Sequence, residues 1–291
     1  MVGTAVLLVL SSGLLHAIWN LYTKKSGNKN LFLWFVNLIG IIVFIPWAVL
    51  EWDVSRLTLT GITVLLGSIA LHGLYSILLA KTYSIGDLSQ VYPIMRGTSP
   101  LLVPLLGVTL LGERLSAMGW LGVALIVLGI VFLSNVSLGV KKSSAESAAP
   151  LPQAQAPLLA LAVGICIAGY IVVDKVALQY VSPAVLIVIT HIGNLLALTL
   201  AAFRGDGVRA EVKSSWRSML LGGIIAPGGY LLFLFALSLA PVAQLAPMRE
   251  IGTVFGTILG VFILREKQGA RRMVTSLLIT AGVIVLGLWG S

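Results

Sequence analysis

Two arginines and a glutamate are the residues whose type and position most directly suggest binding chemistry. Arg96 and the pair Arg249-Glu250 lie inside long apolar stretches, each a few residues after a proline, Pro93 or Pro247. An ionisable side chain within a membrane span costs roughly 2.5–3.5 kcal/mol on insertion scales, so each one needs a compensating role. Guanidinium groups bind carboxylates and phosphates through paired hydrogen bonds. We therefore predict that Arg96 and Arg249 bind a solute. The competing interpretation is an internal arginine–glutamate pair that only holds the structure together.

The three histidines also lie in apolar stretches. His16 shares a helical face with Trp19 and Asn20, at spacings of three and four residues, and we predict that these three line the solute site. His72 and His191 lie in similar polar stripes, for which hydrogen bonding between helices is the favoured interpretation. Neither cysteine nor carboxylate accompanies the histidines at ligand spacing, so no metal and no cofactor are expected.

Glu250 and His16 are also the candidates for exchanging a proton. Both are titratable, and burial can bring a carboxylate or an imidazole toward physiological pH. Asp174 and Lys175 fall near the end of their apolar stretch, where a solvated pair is the simpler expectation. Glu113 closes another stretch, and we assign it to structure at the membrane interface.

The remaining candidates are polar or aromatic side chains within apolar stretches. The further predicted lining residues are Tyr75, Tyr92, Tyr170, Tyr230, Gln90 and Gln244. Tyrosine is also a routine anchor at a membrane surface, and that alternative stays open for the four tyrosines.

Composition determines what must position these side chains. The 291 residues are 58% hydrophobic and 10% charged, with a mean hydropathy of +1.04, whereas soluble domains carry about 25% charged residues. A membrane helix needs about 20 mostly apolar residues. Ten stretches qualify, at 3–22, 31–50, 60–80, 88–111, 117–135, 157–176, 183–203, 216–240, 242–264 and 273–289. The sequence therefore predicts an all-α integral membrane protein with ten transmembrane helices.

The basic residues predict the orientation. The net charge of +9 does not indicate nucleic-acid binding, because the basic residues lie in short gaps between apolar stretches and not on one polar face. The side of the odd-numbered connections holds fourteen of the nineteen, and the other side holds only Arg56, Arg114 and Lys175. The positive-inside rule then predicts a plasma-membrane protein with cytoplasmic odd-numbered loops and both termini outside.

An internal repeat relates the two parts of the chain. Shifting the sequence by 154 residues places Gln90 and Pro93 on Gln244 and Pro247, and further matches keep their order over most of both parts. A repeat of five spans is odd-numbered, so its two copies must cross the membrane in opposite senses. The sequence thus predicts two inverted five-helix repeats with a solute site near the midplane between them.

The domain division follows from this repeat. Residues 137–156 are rich in Ser, Ala, Pro and Gln, and we predict a flexible cytoplasmic linker there. The first repeat then occupies residues 1–136 and the second residues 157–291.

Several short segments carry a family resemblance. They are Leu-His-Ala-Ile-Trp-Asn at 15–20, Leu-Gly-Glu-Arg-Leu at 111–115, the glycine-rich run 119–126 and the later echo Leu-Arg-Glu-Lys at 264–267. With them the sequence resembles the drug/metabolite transporter superfamily, in its EamA branch of ten-helix carriers. Arg265 departs from the pattern, where glycine is usual. The resemblance implies a carrier of amino acids, amines, drugs or other metabolites, and it names a scaffold, not a substrate.

These observations together predict a secondary active transporter, an exporter or exchanger that moves a small metabolite by alternating access. Arg96 and Arg249 outnumber Glu250 at the midplane, so an amino-acid-like zwitterion or an organic anion is the favoured solute. A cationic amine or hydrophobic drug, held by aromatic faces, is the alternative. An intramembrane enzyme or a small-molecule receptor is the alternative from another class, but no paired acid and base is visible beyond Arg249-Glu250.

The energy source stays open. The sequence contains no nucleotide-binding loop of the Gly-x-x-x-x-Gly-Lys-Ser/Thr type, so coupling must come from protons, a counter-substrate or the gradient of the solute itself. The expected partners are the solute and the lipid bilayer, and the oligomeric state is left open.

Overall fold

The computed structural model describes residues 2–24, 28–85, 88–133, 155–204, 208–264 and 270–290. These residues form eleven α-helices and one short 3-10 helix, Val54–Arg56. The α-helices are α1 Val2–Lys24, α2 Lys29–Leu50, α3 Leu59–Ile85, α4 Leu88–Leu110, α5 Ala117–Leu133, α6 Ala156–Ala177, α7 Pro183–Ala202, α8 Val208–Leu239, α9 Val242–Met248, α10 Ile251–Leu264 and α11 Ala270–Trp289. The predicted domain division remains a prediction, because most of its linker, 137–156, lies outside the described residues.

The outer surface of the helix bundle is apolar. Large aliphatic side chains such as Leu66, Leu200 and Leu277 are 58%, 75% and 69% exposed. Five helices are long and apolar enough to cross a membrane, and four further described apolar helices are shorter. A soluble protein does not expose apolar surface on this scale. The chain is an all-α integral membrane protein, as predicted.

The ninth predicted span is a broken helix. α9 ends at Met248 and α10 begins at Ile251, with Arg249 and Glu250 forming the turn between them. The Glu250 amide donates to the carbonyl of Pro247, only three residues back, at 3.1 Å. Pro247 lacks an amide hydrogen and crowds the turn before it, which favours interruption of the helix nearby. The helix is thus interrupted in this half, whereas α4 runs unbroken through Pro93, the counterpart of Pro247, and through Pro100 and Pro104.

The repeat of five spans relates the helix pairs that pack together, because each main pair has a counterpart in which both helices are replaced by their repeat equivalents. α1 packs against α8 and α10, while α6, its counterpart, packs against α3 and α4. The self-related pairs α2–α7 and α5–α11 also pack together. Each half thus buries its helices mainly against the other half. This is the predicted architecture of two inverted five-helix repeats.

The α5–α11 pair depends on glycine. A Cβ atom on Gly122 would lie 2.9 Å from the carbonyl oxygen of Gly282, and one on Gly282 would lie 2.6 Å from that of Gly122. The two backbones therefore touch where the glycines meet, as small residues allow in membrane bundles.

One end of the bundle, which we call the terminal face, holds the described C-terminus together with the connections α2–α3, α4–α5, α6–α7 and α8–α9. Glu113 lies there and accepts hydrogen bonds from the amides of Val242 and Ala243, both at 2.8 Å. These amides belong to the first turn of α9, whose donors have no partner within the helix. The Ser116 amide also donates to the Gly290 carbonyl, at 3.2 Å. The first half is thus fastened to the second at this face, and Glu113 has the structural role expected of it.

Candidate functional site

Arg96, Glu250 and His16 meet inside the bundle. Arg96 Nη1 of α4 donates to Glu250 Oε1 at 3.4 Å, and Arg96 Nη2 lies at hydrogen-bond distance from His16 Nε2 of α1. The Arg96 guanidinium also lies over the Tyr92 ring, 5.5 Å from its centroid. Three separate parts of the sequence therefore place predicted site residues in one cluster, which we call the arginine–glutamate cluster.

The hydrogen-bonding capacity of this cluster is only partly used. Glu250 Oε2 is buried without a hydrogen-bond partner among the described residues. The Arg96 side chain keeps 24% exposure, against 9% for Glu250, although it lies within a span. A buried carboxylate oxygen without a donor is unfavourable. The cluster therefore offers one free acceptor beside a reachable guanidinium.

Arg249 does not pair with its neighbour in the sequence. Its guanidinium lies over the rings of Tyr230 and Phe233, 5.0 Å and 4.7 Å from their centroids. The ion-pair partner of Glu250 is Arg96, on the other half. The competing interpretation, an internal arginine–glutamate pair that holds the structure together, therefore stays open, because Arg96 and Glu250 form such a pair between the halves. The turn points the two side chains to different partners.

Asp174 occupies a second polar cluster, which sequence reasoning did not single out as a site. Its side chain is 0% exposed, and it accepts hydrogen bonds from Ser68 Oγ at 2.6 Å and from the Tyr230 hydroxyl at 2.5 Å. His72 Nε2 lies 3.0 Å from the same carboxylate. We call these four residues the aspartate–histidine cluster.

The expectation of a solvated Asp174–Lys175 pair was wrong. Lys175 Nζ instead donates to the carbonyl oxygens of Leu237 and Ala240, at 2.5 Å and 2.9 Å. Asp174 lies near the end of α6, but α3 and α8 extend past it and cover it. One sequence signal was available: Cys166, Tyr170 and Asp174 share one face of α6 at spacings of four residues.

Aromatic rings connect the two clusters. Tyr170 lies 4.2 Å from the His72 ring, 5.5 Å from Tyr75 and 6.3 Å from Tyr230, measured between centroids. Tyr230 in turn carries the Arg249 guanidinium on its face. Three of the four predicted tyrosines, Tyr75, Tyr170 and Tyr230, thus lie together, and the fourth, Tyr92, lies against Arg96.

Other candidates have different surroundings. Gln244 is buried in α9, and its amide donates to the Leu286 carbonyl of α11 at 2.7 Å. Trp19 stacks on Phe32, 6.1 Å between centroids, at the α1–α2 side of the bundle. The side chains of Asn20 and Gln90 lie outside the described residues.

His191 bonds within its own helix, whereas its sequence position favoured a hydrogen bond between helices. Its Nδ1 atom lies 2.8 Å from the Ile187 carbonyl of its own helix. Nearby, Ser76 of α3 donates to Asn194 of α7 at 2.6 Å, a hydrogen bond between helices of the two halves.

The buried charges balance once Asp174 is included. The sequence suggested an interior with one excess positive charge, from Arg96 and Arg249 against Glu250. Asp174 is fully buried within reach of the same aromatic group, so two cations face two carboxylates when the histidines are neutral. The argument that an unpaired arginine requires an anionic solute therefore no longer holds.

A cleft of about 490 Å³ opens elsewhere, at the terminal face. It is lined by the α2–α3 and α6–α7 connections, among them Trp52, Asp53, Arg56 and Tyr180. None of the predicted site residues lines it. Hydrogen bonds from Ser55 hold the pKa of Asp53 below its usual range.

Comparison with known proteins agrees with this architecture. The profile of the EamA-like transporter family matches residues 3–135 and 155–288, one match in each half. The chain belongs to the EamA-like transporter family. It is therefore a multi-pass membrane transporter of the drug/metabolite type, and the family resemblance noted in the sequence is confirmed. The search of curated proteins gave no match.

EamA-like membership also agrees with the solved structures. One crystal structure has a TM-score of 0.78 to this chain at 20% sequence identity, over 97% of this chain and 96% of that one. At this identity the likeness shows the fold alone. A transporter family favours solute movement over the intramembrane-enzyme alternative.

Proposed function

We propose that this EamA-like protein carries an amino-acid-like zwitterion, bound at the arginine–glutamate cluster. One observation carries the proposal. Glu250 Oε2 is buried and has no hydrogen-bond donor in the part of the chain that the structure describes, while Arg96 beside it remains partly exposed. A solute with an ammonium group and a carboxylate satisfies both residues at once. Its net charge is zero, so it enters without disturbing the balance of the buried charges.

The chemistry assigns each end of the solute. The carboxylate binds the Arg96 guanidinium, whose planar fork matches its geometry, with His16 as a further nitrogen ligand. The ammonium group binds Glu250 Oε2. Tyr75, Tyr170 and Tyr230 supply an aromatic wall for the apolar part of the solute, and Arg249 holds the last of these rings in place.

The position of the cluster supports alternating access. Arg96 belongs to the first half and Glu250 to the break in the ninth span, so rocking of the halves changes the distance between them. In the present conformation Glu113 and Ser116 fasten the terminal face. Following the charge distribution, we propose that this face is external, that both termini are outside and that the protein works in the plasma membrane as an exporter or exchanger.

A cationic amine or hydrophobic drug remains the second candidate solute. The cluster of tyrosines supports it, because aromatic faces attract cations. Against it, Arg249 already covers one face of Tyr230, and Arg96 lies over Tyr92. An added cation would approach two guanidinium groups.

Leucine and two analogues that keep its side chain test the choice between a zwitterion and a cation as solute. Proteoliposomes containing the purified protein are loaded with labelled leucine together with an excess of unlabelled leucine, its decarboxylated amine or its deaminated acid, and efflux of the label is measured. We expect leucine to compete best, because it alone carries both charges. Saturable transport would also exclude the receptor alternative. Stronger competition by the amine would overturn the zwitterion proposal in favour of the cation carrier.

A thermal-stability screen against the twenty proteinogenic amino acids then ranks the solutes. A ligand that binds only the folded protein raises its stability by RT ln(1 + [L]/Kd). No stabilisation by any of them, together with no efflux, would show that the solute belongs to another class.

A further inference from the structure

We propose that Asp174 and His72 together bind a proton and couple solute movement to a pH gradient. This inference rests on the transport function proposed above, but it concerns a different cluster from the one assigned to the solute. It also moves the proton from Glu250 and His16, the candidates suggested by the sequence, to a pair that only the folded chain brings together.

The hydrogen bonds show how the pair holds a proton. Ser68 donates to one oxygen of Asp174 and Tyr230 to the other, so two donors stabilise the carboxylate as an anion. His72 Nε2 lies 3.0 Å from Asp174 Oδ2. With the Nε2 hydrogen donated to that oxygen, Nδ1 carries the lone pair that takes up the proton. The loaded state is an imidazolium–carboxylate pair without net charge, and the unloaded state carries one negative charge.

Asp174 and His72 are in contact, so the proposed proton belongs to the pair and not to either residue alone. Asp174 is 0% and His72 5% exposed, so neither side chain exchanges protons freely with bulk water in this conformation. Access must come from movement of the surrounding helices. A buried ionisable pair within a span is costly, and proton relays are a common reason for its presence in transporters.

The cluster lies between the halves that must move. Ser68 and His72 belong to α3 of the first half, and Asp174 and Tyr230 belong to α6 and α8 of the second. α3 packs along α6, and rocking of the halves alters that contact. The charge of the pair therefore acts on the interface through which alternating access takes place.

Neighbouring charges connect this pair to the solute site. Arg249 lies on the face of Tyr230, whose hydroxyl donates to Asp174. Loss of the proton leaves the Asp174–His72 pair with one net negative charge, which attracts Arg249. Gain of the proton makes the pair neutral and weakens that attraction. Arg249 and Glu250 share the turn in the ninth span, so a shift of Arg249 also displaces the Glu250 carboxylate.

Other titratable groups around the pair are accounted for. The Tyr170 ring of α6 lies 4.2 Å from that of His72, Tyr75 of α3 meets Tyr170 edge to face, and His191 lies on α7, which packs against α3. Lys175 follows Asp174 but binds the carbonyls of Leu237 and Ala240. From α4, Arg96 is paired with Glu250.

Glu250 and His16 are less suited to this role. His16 Nε2 faces the Arg96 guanidinium, which has only donors, so that nitrogen must be the acceptor. Protonating it would remove the hydrogen bond and place two cations in contact. Glu250 Oε1 already accepts a hydrogen bond from Arg96, and the other oxygen is assigned above to the solute.

The first experiment uses no solute. Proton uptake by the purified protein is measured with an indicator dye between pH 8 and pH 5, the range in which histidine commonly titrates. We expect Asp174→Asn to take up about one proton per chain less than wild type. Asp53→Asn is the matched control, because the pKa of exposed Asp53 already lies below its usual range and outside this window. Equal uptake by wild type and Asp174→Asn would overturn the proposal.

The second experiment measures coupling in proteoliposomes, with a labelled mixture of the twenty proteinogenic amino acids as probe. An imposed pH gradient should drive accumulation by wild type and Asp53→Asn at least tenfold above that of Asp174→Asn or His72→Gln. Exchange of labelled for unlabelled probe needs no net proton movement, so both cluster variants should still show it. A purely structural role would reduce exchange and gradient-driven uptake together.

The outcomes separate the two proposals. If wild type moves no amino acid, the proposed solute is wrong, while the dye measurement still decides whether the pair binds a proton. If wild type exchanges the probe but does not respond to the pH gradient, the coupling proposal is overturned and the solute proposal stands. His72→Gln alters the other member of the pair, so this variant is used in both experiments if Asp174→Asn fails to fold.

Discussion

Arg96 and Glu250 lie 154 residues apart in the chain, yet Nη1 of the first is 3.4 Å from Oε1 of the second. This separation is also the shift that superimposes the two sequence repeats at Gln90 and Gln244. The ion pair therefore joins equivalent positions of two inverted halves. Under the alternating access proposed above, rocking of one half against the other changes this contact.

Replacing Arg96 should remove transport without removing the fold. Arg96→Gln loses a charge-assisted interaction worth about 1.5–3 kcal/mol, which corresponds to a reduction of roughly 10- to 100-fold in the affinity for a zwitterion. Arg96→Lys should recover only part of it, because lysine keeps the charge but not the planar fork. Leucine efflux from proteoliposomes measures both, and Arg217→Gln, on an exposed arginine, is the control. Normal transport by Arg96→Gln would contradict the assigned site.

Two Gly→Ala changes should have different effects on stability, one at the contact between α5 and α11 and one in open space. Gly282→Ala places a Cβ atom 2.6 Å from the Gly122 carbonyl oxygen, and overpacking of this kind costs about 1–3 kcal/mol. Gly256→Ala meets no atom within 4 Å and should be neutral or stabilise by up to about 1 kcal/mol, because alanine favours helix. Thermal melting in one detergent compares them. Equal melting temperatures would show that the backbones are not in contact.

Glu113 should stabilise the closed terminal face. Glu113→Ala leaves the Val242 and Ala243 amides without their acceptor, and loss of a helix N-terminal cap costs about 0.5–2 kcal/mol. Glu51→Ala is the matched control, since Glu51 is exposed and bonds only locally, to Trp47 at 2.7 Å. We expect a lower melting temperature for Glu113→Ala alone. An effect of equal size in both variants would indicate a general response to charge.

The orientation is tested by reporter fusions. Fourteen of nineteen basic residues lie on one side of the predicted topology, which by the positive-inside rule is the cytoplasmic side. A reporter inserted between residues 137 and 156 should therefore be active in the cytoplasm, and one fused after Ser291 should be active outside. A cytoplasmic C-terminus would contradict the proposed topology.

The sequence by itself was sufficient for the helices and their arrangement in two halves. Each span is a property of about twenty consecutive residues, and membrane solvent requires such a stretch to be helical because its backbone must satisfy its own hydrogen bonds. The odd number of spans in each repeat then requires inversion. The sequence also indicated which stretches hold Arg96, Arg249 and Glu250. The chemistry of proline alone did not determine the break after Pro247, because α4 continues through Pro93, its counterpart.

Only the tertiary structure decided which charged groups meet. Arg249 and Glu250 are adjacent in the chain, but the turn sends one to Tyr230 and the other to Arg96, and no local pattern contains that choice. Asp174 is the clearest case. Its position near the end of α6 suggested exposure, whereas the longer helices α3 and α8 extend past it and bury it completely. Burial depends on how far neighbouring helices reach, which is set by packing between segments distant in sequence.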